Sequence, residues 1–262
     1  MPKGLLKVGI QSIRTGEPTL EGFTPLADLP SNMVVGLWGG PKRFKTPLAI
    51  SGPEPVYLIN FDRTASPLAS HNEGRKVYVQ DILVPADEEL TDSIVNDLLS
   101  TFMSAYKGAL EQKEGTVVVD TVTILWHLIQ VFVLKGVQRQ NGKRGENTQW
   151  DYADANMLYE NILLAPKKSA MNVFYVARAN AEYNEAGNKL KGKFVPQMQK
   201  NTPYLVNLWL RMDRMEVEEA YVSDKTGKTK TRMRDAFVAI VEGSGYDKTQ
   251  EGLVIPDPDY SK

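Results

Sequence analysis

The eight residues Gly39-Gly40-Pro41-Lys42-Arg43-Phe44-Lys45-Thr46 join two segments of different character. Before them stands Met33-Val34-Val35-Gly36-Leu37-Trp38, an apolar run that predicts a buried strand. After them, Leu48-Ala49-Ile50 predicts the opening of a helix, and Pro47 is compatible with it because the first helical turn has no partner for that N–H. The sequence therefore predicts a Gly-rich turn between a core strand and a helix, a recurring unit of α/β proteins.

This turn nearly fits the phosphate-binding P-loop pattern G-x-x-x-x-G-K-[ST]. Gly39, Lys45 and Thr46 are in register with the pattern, whereas Phe44 stands where it has a second Gly. Backbone N–H groups of such a turn, with the positive end of the next helix, form a cradle for anions. All eight residues are therefore candidates for binding a nucleotide, with Lys45 on the β- and γ-phosphates and Thr46 on Mg²⁺. The alternative is an ordinary Gly-Pro turn.

Phe44 leaves two conformations open. If the backbone at this position needs a positive φ, a side chain there costs about 1–2 kcal/mol. If the pattern favours Gly only for space near the phosphates, Phe44 keeps an ordinary backbone and turns its ring outward, onto the base or onto a neighbouring subunit. The residue weighs less against nucleotide binding than against fast hydrolysis.

Composition excludes several classes of function. The chain of 262 residues has no Cys and two His, so disulfides, thiolate catalysis and Cys- or His-based metal sites are not expected. Its net charge of −1 argues against a wholly basic nucleic-acid-binding surface but allows a local basic loop. The N-terminus lacks the apolar core of a signal peptide, and the longest apolar run, 124–134, is too short to span a bilayer. We expect a soluble cytoplasmic protein with no membrane partner.

Residues 1–32 show no sustained period and are predicted to be an irregular lead-in, and because the sequence has no internal repeat and no clear linker, residues 33–262 are predicted to form one domain. Strands are predicted at 33–38, 56–61, 76–79, 116–120, 172–177, 205–211, 215–222 and 236–242. Longer helices are predicted at 87–110, 124–137 and 150–168, with polar loops at 139–149 and 181–203. Because strands and helices alternate before strands alone close the chain, we predict an α/β fold. Its sheet is mostly parallel, with helices on both faces and antiparallel C-terminal strands.

The run Val117-Val118-Val119-Asp120 predicts a second functional position. It has the form of a Walker B strand, in which an apolar run ends in one Asp. Ligands of a parallel sheet bind outside the carboxyl ends of its strands, so Asp120 and the Gly-rich turn would open onto one edge. Asp120 would then help to position Mg²⁺. It would also serve as a solvent-facing helix cap, and the two roles do not exclude each other.

In the order of its parts, the chain resembles phage RecA-like ATPases of the group associated with single-strand annealing recombination. The resemblance covers roughly residues 33–242 and rests on the following parts: the strand and turn at 33–46, the strands ending in Asp62 and Asp120, Gln149-Trp150-Asp151-Tyr152, the strand 172–177, the loop with Gly187 and Pro196, and Asp213. It implies a RecA-type P-loop NTPase core that binds ATP and Mg²⁺. It also implies single-stranded DNA, a homo-oligomeric ring or filament, and a phage recombinase or single-strand binding protein as partners in the host cytoplasm.

The resemblance implies catalytic roles as well. Lys45 and Asp120 would carry the phosphate and metal chemistry. Related enzymes commonly have a Glu just past the second strand to orient the attacking water, but Thr64 stands at that place here. Either Asp62 substitutes for it from nearby, or the base is missing. Arg178, just after the strand 172–177, senses the γ-phosphate in this interpretation; the alternative is a surface ion pair.

Two basic segments are candidates for contacting DNA. The first offers Arg139, Lys143 and Arg144, and the second offers Lys189, Lys191, Lys193 and Lys200. The aromatic residues Tyr183 and Phe194 accompany the second group, and lysines near aromatic rings suit single strands because cations meet phosphates while rings stack on bases. The alternative is a solvated loop balanced by Glu182 and Glu185.

Three functional hypotheses follow from these patterns. The first is an ATP-binding RecA-like phage ATPase that acts on single-stranded DNA in recombination or replication. The second is a non-hydrolysing nucleotide- or DNA-binding partner of a recombinase, which Phe44 and Thr64 favour. The third, a P-loop kinase of a small metabolite, is disfavoured because the sequence has no Arg-rich lid pattern.

Overall fold

The computed structural model describes residues 32–62, 65–85, 89–141, 152–184, 188–222 and 229–259. The predicted lead-in up to residue 31 lies outside this part of the chain, as do Thr64, Gly187 and the segment 142–151.

Nine strands of the described residues form one mixed sheet. They are β1 (Val34–Gly39), β2 (Val56–Asn60), β3 (Val77–Asp81), β4 (Thr116–Asp120), β5 (Asn172–Tyr183), β6 (Lys189–Gln197), β7 (Leu208–Val222), β8 (Thr229–Ser244) and β9 (Val254–Pro256). The order is β3-β2-β4-β5-β1-β7-β8-β9, and β6 pairs with β5. All pairings from β3 to β7 along this order are parallel, and those of β6, β8 and β9 are antiparallel. The predicted α/β class, with its mostly parallel sheet and antiparallel C-terminal strands, is confirmed.

Five α-helices connect or follow these strands within the described residues. They are α1 (Lys45–Ile50), α2 (Asp92–Leu110), α3 (Val122–Asn141), α4 (Ala153–Leu164) and α5 (Thr202–Leu205). The prediction that α2 begins at Asp87 was wrong: the helix begins after Thr91, whose hydroxyl oxygen accepts a hydrogen bond from Ile94 N at 3.4 Å. Helix α1 has only six residues, fewer than two turns, so few of its peptide dipoles align.

Helices lie on both faces of the sheet, as predicted, but they cover the two faces unequally. Along β1, Val34 and Trp38 pack into one core cluster, whereas Val35 and Leu37 pack into another, because alternate side chains point to opposite faces. The first cluster contains residues of α2, α3 and α4. On the other face, α1 contributes to the second cluster, and no other described α-helix does. Leu68 packs against this cluster.

Two predictions about the later part of the chain were wrong. The segment 181–203 is not a long loop: β5 continues to Tyr183 and turns back as β6, in which Pro196 pairs with Ala179. Its Lys, Gly and Pro content is typical of a loop, but among the described strands β6 pairs with β5 alone, and a proline is tolerated in such an edge strand. The strands predicted at 205–211 and 215–222 are one continuous strand, β7.

Both antiparallel hairpins extend past the carboxyl end of β1. Gly39 lies opposite Arg178 of β5, and Trp38 lies opposite Arg211 of β7, yet both outer strands continue well beyond these pairs. The turn after β1 therefore lies between the bases of two hairpins. Gly39 has a φ of +156°, and a Cβ there would stand 2.4 Å from the carbonyl oxygen of Met212, so the start of the turn has no room for a side chain.

Candidate functional site

A cavity of about 670 Å³ opens at the carboxyl edge of the parallel strands. Its lining residues are Gly39, Pro41, Lys42, Arg43, Phe44, Lys45, Thr46, Pro47, Asp62, Leu68, Asp120, Thr121, Arg178, Ala179 and Phe237. The fold thus brings together the residues predicted for the site, apart from Gly40, which does not line this cavity. Small-molecule sites typically occupy about 300–1,000 Å³, so the cavity is large enough for a nucleotide.

Lys45 is the central cation of this cavity. Its ammonium group donates hydrogen bonds to the carbonyl oxygens of Gly39 at 3.0 Å and Gly40 at 2.7 Å. Burial lowers the pKa of Lys45, while the negative charges of Asp120 and Asp62 oppose that shift. The partly desolvated ammonium is therefore held against the turn, where an anion in the cavity would meet its positive charge.

Thr46 and Asp120 meet directly at the base of the cavity. The Thr46 hydroxyl donates to Asp120 Oδ2 at 2.6 Å, although the two residues are 74 positions apart. Asp120 is only 2% exposed. Burial raises the pKa of its carboxyl to about 6, although the hydrogen bond from Thr46 acts in the opposite direction. The site therefore holds a carboxyl group that is costly to ionise unless a cation compensates it.

The prediction that Asp120 is a solvent-facing helix cap was wrong. Asp120 is buried within β4, and a cis peptide bond joins it to Thr121. Thr121 takes the capping position instead, since its hydroxyl oxygen accepts a hydrogen bond from Ile124 N at 3.4 Å. The buried Asp120 side chain is consequently turned toward Thr46 and not toward solvent.

Asp62 and Arg178 form an ion pair at the wall of the cavity. Asp62 follows β2 and is half-buried, whereas Arg178 is an exposed residue of β5. The backbone N–H of Arg178 donates to Thr123 Oγ1 at 2.9 Å, and the Thr123 hydroxyl donates to the carbonyl oxygen of Gln197 at 2.6 Å. Thr123 therefore connects the first turn of α3 to the β5–β6 hairpin beside the ion pair.

Phe44 adopts the positive φ, the first of the two conformations that the sequence left open, and the alternative of an ordinary backbone was wrong. Its φ of 62° and ψ of 20° lie in the left-handed region, which disfavours a side chain by about 1–2 kcal/mol. Its ring also points away from the turn and stacks on Phe237 of β8, with centroids 5.1 Å apart and an interplanar angle of 15°. Such a pair contributes about 0.5–1.5 kcal/mol, which offsets much of the backbone cost. Sequence reasoning missed Phe237, because nothing local distinguishes it from other strand aromatics.

The described residues contain no group of three or more His, Cys, Asp or Glu that could hold a metal on its own. The Thr46 hydroxyl and the Asp120 carboxylate are adjacent oxygen ligands in the cavity, whereas the Asp62 carboxylate is paired with Arg178. Mg²⁺ is usually bound by one or two carboxylates together with water and the phosphates of a substrate. Thr46 and Asp120 therefore fit Mg²⁺ only when a bound anion and water supply the remaining ligands.

The predicted DNA-contacting residues are only partly brought together. Lys189, Lys191 and Lys193 are exposed on β6, and Lys200 is exposed just after it. Arg139 belongs to α3, so its predicted place in a loop was wrong. Its side chain, Lys143 and Arg144 lie outside the described part of the chain.

A second cavity of about 500 Å³ lies between the β5–β6 hairpin and β7. Arg43, Lys193, Phe194 and Arg211 line it, so it adjoins the Gly-rich turn on the side away from Phe237. Tyr183 and Phe194 are 56% and 55% exposed. The predicted combination of lysines and accessible aromatic rings is thus present on the hairpin.

No protein-family model matches the chain, and a search of curated proteins finds no match. Among the described helices, none is long and apolar enough to cross a membrane.

Proposed function

We propose that this chain binds Mg²⁺–ATP in the cavity around Lys45 and acts on single-stranded DNA, in the manner of a RecA-like phage ATPase. The observation that carries the proposal is the contact between Thr46 and Asp120 beside Lys45. A hydroxyl and a carboxylate from distant parts of the chain meet next to a partly desolvated ammonium. A Gly-Pro turn with only a structural role has no need of this arrangement.

Each of the three residues has a defined role in this proposal. Lys45 binds the β- and γ-phosphates. Its ammonium group, which donates to carbonyl oxygens of the turn, donates to phosphate oxygens when the nucleotide is bound. Thr46 and Asp120 hold Mg²⁺, which neutralises charge on the phosphates. A divalent cation favours the ionised form of the buried Asp120 carboxyl, whose pKa burial raises to about 6.

Hydrolysis requires a group that orients water, and Asp62 is the candidate. Its Oδ1 atom accepts a hydrogen bond from Arg178. A γ-phosphate near Arg178 would compete for the guanidinium group and leave the Asp62 carboxylate available to water. In this mechanism Arg178 senses the terminal phosphate and releases the base.

A non-hydrolysing nucleotide-binding partner of a recombinase is the second candidate function. The Asp62–Arg178 ion pair favours it, since a carboxylate held by a guanidinium group is a poor general base. The two functions differ in turnover and not in binding. Phosphate release from Mg²⁺–ATP, measured with and without single-stranded DNA, separates them, and release that Asp120→Ala abolishes supports the ATPase.

The binding proposal is tested by replacing Lys45 with Ala and measuring Mg²⁺–ATP affinity by calorimetry. Removal of a charge-assisted hydrogen bond predicts an affinity at least about ten-fold lower. Lys107→Ala is the matched control, because Lys107 is an exposed lysine on α2 outside the cavity. Equal affinity of Lys45→Ala and the wild type would overturn the phosphate assignment.

DNA binding is proposed for the lysines of β6. Replacement of Lys189, Lys191 and Lys193 with Ala should weaken binding to a single-stranded oligonucleotide. It should also flatten the salt dependence of binding, by about 0.7 in the logarithmic slope for each phosphate that the variant no longer neutralises. Lys107, Lys113 and Lys168, three exposed lysines near the amino ends of the strands, serve as the control set. Equally weakened binding in the two triple variants would show that charge alone, and not this hairpin, attracts the DNA.

The proposed homo-oligomer is tested separately. Light scattering of the full chain, with and without Mg²⁺–ATP, measures the molar mass in solution. A mass that stays at that of one chain in both conditions would contradict a ring or filament.

A further inference from the structure

We infer that the Phe44–Phe237 pair is a stacking platform for the base of the nucleotide whose phosphates lie at Lys45. This inference rests on the proposed function, because it concerns the other end of the same ligand. It assigns a binding role to a residue that departs from the phosphate-loop pattern and to a second residue that the sequence did not indicate.

The position of the two rings supports this role. Phe44 directly precedes Lys45 and is the N-terminal cap residue of α1, whereas Phe237 comes from β8. Their rings are stacked with centroids 5.1 Å apart, and both line the cavity that contains Thr46 and Asp120. The platform is therefore within the same cavity as the phosphate-binding and metal-binding groups.

Phe44 is a strained aromatic residue that is nevertheless exposed. Phe44 has a φ of 62°, a conformation that Gly adopts freely and Phe does not. A residue kept in such a conformation is found mostly where it serves a ligand or a switch. The residue is also 37% exposed although it is large and apolar. Stacking on Phe237 accounts for one face of the ring, and a flat ligand would cover more of it.

The cavity has a charged wall and an apolar wall. Asp62, Asp120 and Arg178 supply charged groups, whereas Phe44, Phe237 and Leu68 supply an apolar surface. A nucleoside triphosphate has the same division, since its phosphates are charged and its base is a flat ring. Bases stack readily on aromatic side chains whatever their sequence.

The competing explanation is that Phe237 only supports the turn. In that case the ring pair would hold Phe44 in its left-handed conformation and would contribute equally to every phosphate ligand. The two explanations differ in whether the rings affect the base or the phosphates, so a ligand without a base distinguishes them.

The test compares Mg²⁺–ATP with Mg²⁺–tripolyphosphate, each titrated into the full chain by calorimetry. Phe44→Gly removes one ring and keeps a residue that adopts φ of 62° without strain. Phe237→Leu removes the other ring and keeps an apolar side chain. Tyr78→Leu is the matched control, because Tyr78 belongs to another stacked pair, with Tyr57 at 5.5 Å, on the edge strand β3.

We expect the wild type to bind ATP at least about ten-fold more tightly than tripolyphosphate, and either ring variant to reduce that ratio by about ten-fold. Tripolyphosphate affinity should change by less than about two-fold, and Tyr78→Leu should leave both affinities unchanged. An unchanged ratio in both ring variants would overturn the platform. If the wild type binds both ligands equally, the phosphate site stands and the platform fails. If it binds neither, the platform and the proposed function fail together.

Discussion

Asp120→Asn should change how the stability of the protein depends on pH. Burial raises the pKa of the Asp120 carboxyl from an ordinary value of 3.8 to about 6. The folded chain therefore binds this proton more tightly than the unfolded chain, so stability falls as the pH rises from about 4 to about 6. The difference of about two pH units, at about 1.4 kcal/mol each, corresponds to about 3 kcal/mol. Asn has no charge to bury and keeps an oxygen for the Thr46 hydroxyl.

The assay is urea unfolding followed by tryptophan fluorescence at several pH values between 4 and 8, without nucleotide or divalent metal. At pH 4 the free energies of unfolding of Asp120→Asn and the wild type should be similar. At pH 7.5 the variant should be more stable by up to about 3 kcal/mol. Asp97→Asn, at an exposed position of α2, controls for the removal of one negative charge. A difference between variant and wild type that stays constant over this range would refute the reasoning.

Changes at three further positions test backbone strain and packing in the fold. Phe44→Gly should leave the free energy of unfolding within about 1 kcal/mol of the wild type, because relief of the left-handed strain offsets removal of the ring stack. Phe44→Ala removes the ring but keeps the strain, so it should destabilise the protein by about 1 kcal/mol. Equal free energies of unfolding for the two variants in urea would contradict this reasoning. Gly36→Ala should destabilise by about 1–3 kcal/mol, since its Cβ would lie 2.2 Å from the Trp209 ring, and a melting temperature equal to that of the wild type would show that the sheet adjusts. Gly108→Ala adds a carbon on α2 with nothing within 4 Å of it, so it should stabilise the protein by up to about 1 kcal/mol. The same melting experiment should therefore show a higher melting temperature than that of the wild type.

Much of the central sheet could be predicted from local sequence. The apolar runs around Val35 and Val118 are buried on both faces. Strands that are apolar on both faces are typical of the interior of a parallel sheet that is covered on both sides. The prediction failed for β6, whose lysines and Pro196 are typical of loops. Its strand conformation depends on ladder hydrogen bonds to β5, which no pattern within β6 itself indicates.

The candidate site could likewise be predicted only in part from the sequence. The sequence by itself determined a Gly-rich turn after a core strand, with Lys45 and Thr46 at its end and Asp120 at the end of another strand. These are local facts about residue type and spacing. Only the tertiary structure decided that Thr46 bonds to Asp120 and that Phe44 stacks on Phe237, because both contacts depend on the order of strands in the sheet. The tertiary structure also decided the conformation of Phe44, because stacking on Phe237 of β8 stabilises a left-handed backbone that local preference alone disfavours.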